Sequence, residues 1–145
     1  MLFEIKVRYA KQTGEDNPKI VKELYVIEGE SFGDAESKLL QILIPESFGN
    51  DIDIAAMKKV APFDIVDCVA PEKVFKCKCV LIISDGEEES RKPIFLYVGA
   101  SDLELARKAA SKYLKSYDSE FLKSYDSELL SVEETKIVDV YRREK

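Results

Sequence analysis

Cations and tyrosines recur at related places in the two halves of this sequence. They are Lys6, Arg8, Tyr25, Lys76, Lys78 and Tyr97. Single-stranded nucleic acid is bound by rings that stack on bases and by ammonium or guanidinium groups that contact phosphates. The pattern therefore predicts a non-enzymatic nucleic-acid-binding module. The same residue types also occupy solvated strand faces or faces buried against another subunit, and both interpretations remain open.

Histidine is absent from the 145 residues. Its absence excludes Ser-His-Asp and Cys-His catalysis within this chain and removes the usual imidazole metal ligand. Glycine-rich phosphate-binding motifs are also absent. We therefore predict no catalytic residues, no cofactor and no metal site. A carboxylate-based metal enzyme is the weakest alternative, with Asp51, Asp53, Asp64 and Asp67 as its candidate ligands.

The formal net charge is −6, and 46% of the residues are hydrophobic. A protein that binds nucleic acid by charge alone is usually basic, so binding here requires a local basic face. The apolar runs are far shorter than the roughly 20 residues of a membrane helix, and no signal peptide is recognisable. Cys68, Cys77 and Cys79 are an odd number of cysteines, which favours a reducing cytoplasm and a role as small core residues.

The chain contains two similar halves, predicted at residues 1–67 and 73–145. Leu2–Val7 resembles Val74–Cys79, and Leu24-Tyr-Val recurs as Leu96-Tyr-Val, both at an offset of 72 residues. Phe63–Val66 resembles Val138–Tyr141 at an offset of 75. The constant order of these matches predicts an internal duplication.

Each half is predicted to fold as a β-β-α-β unit. Apolar residues alternate from Phe3 to Tyr9, as in a half-buried strand. Ser31 is the predicted N-cap of the first helix, and Ser101 with Glu104 is a predicted capping box for the second. We predict an α+β pseudo-dimer that forms one compact domain, with a pseudo-two-fold antiparallel sheet and both helices on one face. Its opposite face would present the cations and tyrosines.

A second repeat lies inside the second half. The heptapeptide Leu114–Glu120 recurs identically as Leu122–Glu128, a period of eight residues. Eight residues turn an α-helix by about 80° beyond whole turns, so a continuous helix would rotate its apolar face. The repeat is either a new binding loop or a tolerated lengthening of the helix-to-strand connection.

The openings Leu2–Tyr9 and Val74–Lys78, together with Val138–Tyr141, resemble a family of short uncharacterised proteins from Bacteroidetes and their phages. The resemblance spans nearly the whole chain. It implies a cytoplasmic bacterial or phage setting but no activity. In that setting, a role in DNA metabolism is one expectation. The alternative is a protein-interaction or assembly factor, such as a phage accessory or host-inhibiting protein.

Overall fold

The computed structural model describes residues 1–11, 19–44, 52–121 and 125–142, without the side chains of residues 11, 85, 117–121 and 125. The chain divides into two compact units. Unit 1 comprises Met1–Ala61 and Ile137–Lys145, and unit 2 comprises Pro62–Lys136. Neither helix within the described residues is long and apolar enough to cross a membrane.

Unit 1 is a four-stranded sheet covered on one face by a helix. Its elements are β1 (Leu2–Lys11), β2 (Lys19–Glu28), α1 (Phe32–Leu43), β3 (Ile52–Val60) and β8 (Ile137–Tyr141), in the strand order β3-β1-β2-β8. β1 pairs antiparallel with β2 and β3, whereas β8 joins β2 in parallel. Ala35, Leu39 and Leu43 of α1 are buried against the alternating apolar residues of β1.

Unit 2 repeats this plan. Its elements are β4 (Asp64–Val66), β5 (Lys73–Asp85), β6 (Glu88–Ala100), α2 (Leu103–Phe121) and β7 (Tyr125–Glu134), in the strand order β4-β6-β5-β7. Ala106, Ala110 and Leu114 of α2 are buried against β5 and β6. Gly86 begins the two-residue turn between these strands with a positive φ of 67°, which a side chain would strain.

The α+β class is confirmed. The strands, however, form two mixed sheets and not the single antiparallel sheet that was predicted. Both sheets are mixed because a short strand joins each of them in parallel. The short strand β4 ends the first half of the sequence and pairs in unit 2, and β8 ends the second half and pairs in unit 1. The limits of the units therefore differ from the predicted limits of the halves.

The units correspond in detail. Each has a β-bulge at the same place, between Lys6 and Val7 in β1 and between Lys78 and Cys79 in β5. Asp64 in β4 and Asp139 in β8 each accept a hydrogen bond from the next backbone N–H. These coincidences support the predicted internal duplication.

The two helices begin with the same kind of cap. Ser31 accepts a hydrogen bond from the backbone N–H of Asp34, as predicted for α1. For α2 the prediction of Ser101 is wrong, because Asp102 directly precedes the helix and accepts from the N–H of Leu105. A carboxylate there also interacts favourably with the positive end of the helix dipole.

Candidate nucleic-acid interface and a pocket in unit 1

Five of the six predicted interface residues, the four cations and Tyr97, lie on the sheet faces that the helices do not cover. Lys6 and Arg8 are exposed on β1, and on β5 Lys78 is exposed and Lys76 half-buried. They alternate with the core residues of the same strands, as the period of two predicts. The two pairs of cations belong to different units.

Tyr25 lies on the wrong face for the predicted interface. It pairs with Ile5 of β1, and both side chains belong to the core beneath α1. Phe3 pairs with Ile27 and Phe75 pairs with Val98, so the second strands are offset by 71 residues, not by the predicted 72. A shift of one residue moves a strand side chain to the other face. Tyr25 therefore corresponds to Leu96 and not to Tyr97.

Tyr97 lies on the predicted face but is only 2% exposed. It is the cross-strand partner of Lys76. Its ring meets that of Phe95 edge to face, with ring centroids 5.3 Å apart. A ring buried to this extent supports its neighbour and offers no surface on which a base stacks.

Three side chains of unit 2 form a lysine–phenylalanine surface, defined by Lys76, Lys78 and Phe95. The Nζ of Lys76 lies 4.6 Å from the centroid of the Phe95 ring, a cation–π contact. Lys78 is the direct cross-strand partner of Phe95. Phe95 lies two residues before Tyr97, so the period of two places both rings on the same face of β6, as expected from the sequence.

At the corresponding position of unit 1, an aliphatic side chain stands in place of the ring. Lys6, the counterpart of Lys78, pairs with Leu24, where unit 2 has Phe95. Arg8 Nη2 lies 3.8 Å from Asp53 Oδ2, with both side chains largely exposed. Among the described residues, Lys6 therefore faces an aliphatic neighbour and Arg8 a carboxylate.

Tyr25 instead joins a group of tyrosines around Glu23. The hydroxyls of Tyr9 and Tyr25 both donate to Glu23 Oε1. Burial raises the pKa of Tyr25 strongly, and the neighbouring negative charge of Glu23 adds to the shift. Tyr141 of β8 stacks on Tyr25 with a centroid distance of 6.0 Å. These contacts connect side chains of β1, β2 and β8 within unit 1.

A pocket of about 700 Å³ lies in unit 1 beside this group, between the end of β2, α1 and the end of β8. Its lining comes from segments that lie far apart in the sequence, so no local pattern predicts it. The lining residues are Met1, Ile27, Glu28, Gly29, Glu30, Lys38, Gln41, Ile42, Tyr141 and Arg142.

The candidate metal ligands do not come together in the part of the chain that the structure describes. Asp53 pairs with Arg8, Asp64 Oδ2 accepts from the Tyr113 hydroxyl at 2.8 Å, and Asp67 is exposed. Asp51 lies outside the described residues. No three potential ligands among the described residues form a group that could hold a metal ion.

The fold defines this chain as an α+β protein built from two corresponding helix-on-sheet units. A family model, "Domain of unknown function (DUF4494)", matches residues 1–143, so the chain belongs to that family. Comparisons with curated proteins and with solved structures gave no match.

Proposed function

We propose that this protein is a non-enzymatic binding module that contacts single-stranded nucleic acid through the lysine–phenylalanine surface of unit 2. The observation that carries the proposal is the placement of two lysines beside one ring. The ammonium of Lys76 lies over the Phe95 ring, and Lys78 is the cross-strand partner of Phe95. A base stacks on an accessible ring while neighbouring ammonium groups contact the phosphates on either side.

The charges around this surface do not attract polyanions in general, so binding there depends on direct contacts. The chain carries a net charge of −6, so long-range steering by the whole molecule opposes binding. Glu133 pairs with Lys76 across β5 and β7, and Arg91 lies 3.8 Å from Glu128. Only short-range contacts at the two lysines and the ring offset this repulsion. The expected affinity is therefore modest and sensitive to salt.

The test is fluorescence anisotropy with a labelled oligo-dT strand at low and at high salt. The key variant is Lys78→Glu, and its control is Lys112→Glu on the exposed side of α2. Both substitutions change the net charge equally. We expect Lys78→Glu to abolish most of the binding, whereas Lys112→Glu keeps it within about twofold, as expected for screened distant charges.

A second variant tests the ring. Phe95→Leu keeps apolar bulk against Tyr97 but removes the stacking surface, and we expect about tenfold weaker binding, at the low end of base–aromatic stacking energies. No binding of wild-type protein at low salt would refute the proposal, as would equal losses in the two charge variants. Absence of binding together with a concentration-dependent mass in light scattering would favour the assembly alternative.

A further inference from the structure

We propose that the pocket of unit 1 binds a small amphipathic zwitterion of the size of a short peptide. This site is distinct from the lysine–phenylalanine surface and does not depend on the function proposed above. Its volume of about 700 Å³ falls within the range of roughly 300–1,000 Å³ that is typical of small-ligand sites. Its chemistry follows from an apolar floor and from charges of both signs at its rim.

The apolar floor consists of Ile27, Ile42 and the ring of Tyr141. Ile27 is 3% exposed, whereas Ile42 and Tyr141 are half-buried and line the open space. Tyr25 stacks on Tyr141 and supports that ring from the core side. An aliphatic or aromatic side chain of a ligand would displace water from this floor, which favours binding.

The rim carries two acidic and two basic side chains. They are Glu28, Glu30, Lys38 and Arg142. Because charges of both signs line the rim and Asp34 adds a carboxylate beside Lys38, the rim does not favour a polyanion, and a ligand with separated positive and negative groups complements it best. Lys38 donates to Asp34 Oδ2 at 3.0 Å and stays half-exposed, so its ammonium keeps further donors for a ligand carboxylate. Glu30 is exposed and also lines the pocket, so its carboxylate complements a ligand ammonium.

Hydrogen bonds hold the rim in place without a ligand. The backbone N–H of Glu30 donates to Asp34 Oδ2 at 2.9 Å, and the N–H of Gly29 donates to the carbonyl of Met1 at the same distance. A Cβ at Gly29 would lie 2.9 Å from the Cβ of Ala35, so only glycine lets β2 approach α1 so closely. A site fixed in this way loses little conformational entropy on binding.

Unit 2 shows how the corresponding space is filled. The buried residues Ala35, Leu39 and Leu43 of α1 correspond to Ala106, Ala110 and Leu114 of α2 at an offset of 71, which places Tyr113 where unit 1 has Ile42. Tyr113 extends toward β4 and donates to Asp64, whose counterpart in β8 is Asp139. The shorter Ile42 makes no such contact and borders open space. The same framework therefore supports a pocket in unit 1 where unit 2 has a tyrosine.

The test is titration of the ¹⁵N-labelled full chain with the tripeptide leucyl-phenylalanyl-leucine, followed by amide chemical shifts. We expect saturable shifts at Gly29, Glu30 and the last turn of α1. The variant Ile42→Tyr copies unit 2 and fills the pocket, so it should abolish these shifts while keeping a dispersed spectrum. The matched control is Tyr113→Ile in unit 2, which should leave them unchanged.

Two further measurements test the charge complementarity. Glu30→Gln removes an exposed carboxylate without affecting the core, and we expect several-fold weaker binding. The N-acetylated, C-amidated tripeptide should bind about tenfold more weakly, as expected for lost charge-assisted contacts. Equal binding of the blocked peptide would overturn the proposal. So would tighter binding of thymidine monophosphate at the same amides, or the absence of saturable shifts into the millimolar range.

Discussion

Cys77 and Cys79 lie on the face of β5 that α2 covers, and both thiols are buried. Burial raises the pKa of each from its ordinary value of 9.0 to about 11, and at Cys77 the neighbouring Cys79 adds to the shift. A raised pKa means that the folded state holds its proton where the unfolded state loses it. These thiols therefore contribute stability below pH 9 that is lost as the pH rises toward 11.

The prediction is that the free energy of unfolding falls between pH 9 and pH 11 more steeply in the wild type than in Cys77→Ala/Cys79→Ala. The double variant is less stable at pH 7, because it leaves cavities, but it lacks the thiol titration. Urea unfolding followed by circular dichroism at several pH values measures both slopes. Parallel slopes would contradict the burial of the thiols.

Gly99 in β6 touches the segment that joins β4 to β5. A Cβ on Gly99 would lie 2.2 Å from the carbonyl oxygen of Asp67 and 2.9 Å from the Cβ of Pro71. Asp67 itself has a positive φ of 52°, so this backbone has little freedom to retreat. The close approach explains why glycine is needed inside a long strand.

Replacing Gly99 with alanine should destabilise the protein by about 1–3 kcal/mol, the usual cost of overpacking. The matched control is Gly33→Ala in α1, where the new Cβ would meet no atom within 4 Å. In a helix this second substitution is expected to stabilise by roughly 0.5–1 kcal/mol. Thermal unfolding of both variants checks the pair. A neutral Gly99→Ala variant would contradict the close contact.

At the scale of elements, one short sequence adopts two structures. Tyr117-Asp-Ser-Glu120 lies in the last turns of α2, and the identical Tyr125-Asp-Ser-Glu128 begins β7. The repeat is therefore not confined to a loop, although residues 122–124 lie outside the described residues. The two copies have the same local propensity, so it is pairing with β5 that makes the second copy a strand.

The prediction is that proline destabilises these two copies unequally. The N–H of Ser127 donates to the side chain of Asp126, so the next N–H, at Glu128, points toward β5 in the alternating ladder. Glu128→Pro removes that ladder bond and should cost about 3 kcal/mol, whereas Glu120→Pro frays only the end of α2 and should cost under ~1 kcal/mol. Urea midpoints compare the variants, and equal losses would contradict the assignment.

The alternation of apolar residues predicted the long strands β1, β2, β5 and β6 and the buried stripes of both helices, because these patterns are local, but β7 was not predicted. The sequence-based predictions were wrong where a difference of one residue decides which face or which cap position a residue occupies. The matching Leu-Tyr-Val segments suggested an offset of 72, whereas the register of Phe75 with Val98 requires 71, and Tyr25 consequently changed faces. Asp102 in place of Ser101 is another error of one residue. Sequence similarity does not fix hairpin register, which depends on the turn and on packing.

At the scale of the whole molecule, the partners of β4 and β8 could not be predicted. Both strands are short and pair in parallel with a strand from the other half of the sequence. No feature of the local sequence distinguishes that partner strand from a strand in the same half of the sequence. The pocket of unit 1 escaped prediction for the same reason, because β8 supplies Tyr141 to its wall.

Truncation after Lys136 tests the contribution of β8. Ile137 and Val140 are buried, so their removal should expose apolar surface and destabilise unit 1 by several kcal/mol, as expected for two lost core side chains. Hydrogen exchange should show lost protection at Tyr25, Val26 and Ile27, while β5 and β6 keep theirs. The full-length chain is the control, and equal loss of protection in both units would contradict the prediction.

Because β4 and β8 each pair with a strand from the other half of the sequence, the two sheets are completed in a defined order during translation. β1 is translated before the other strands of its sheet, yet that sheet gains its last strand only when residues 137–141 emerge. Unit 2 begins later, at Pro62, and all its strands are available once Lys136 has left the exit tunnel. The sheet of unit 1 is thus begun before that of unit 2 but completed after it. Until β8 pairs, the edge of β2 in the nascent chain has unpaired backbone groups that can pair with a wrong strand.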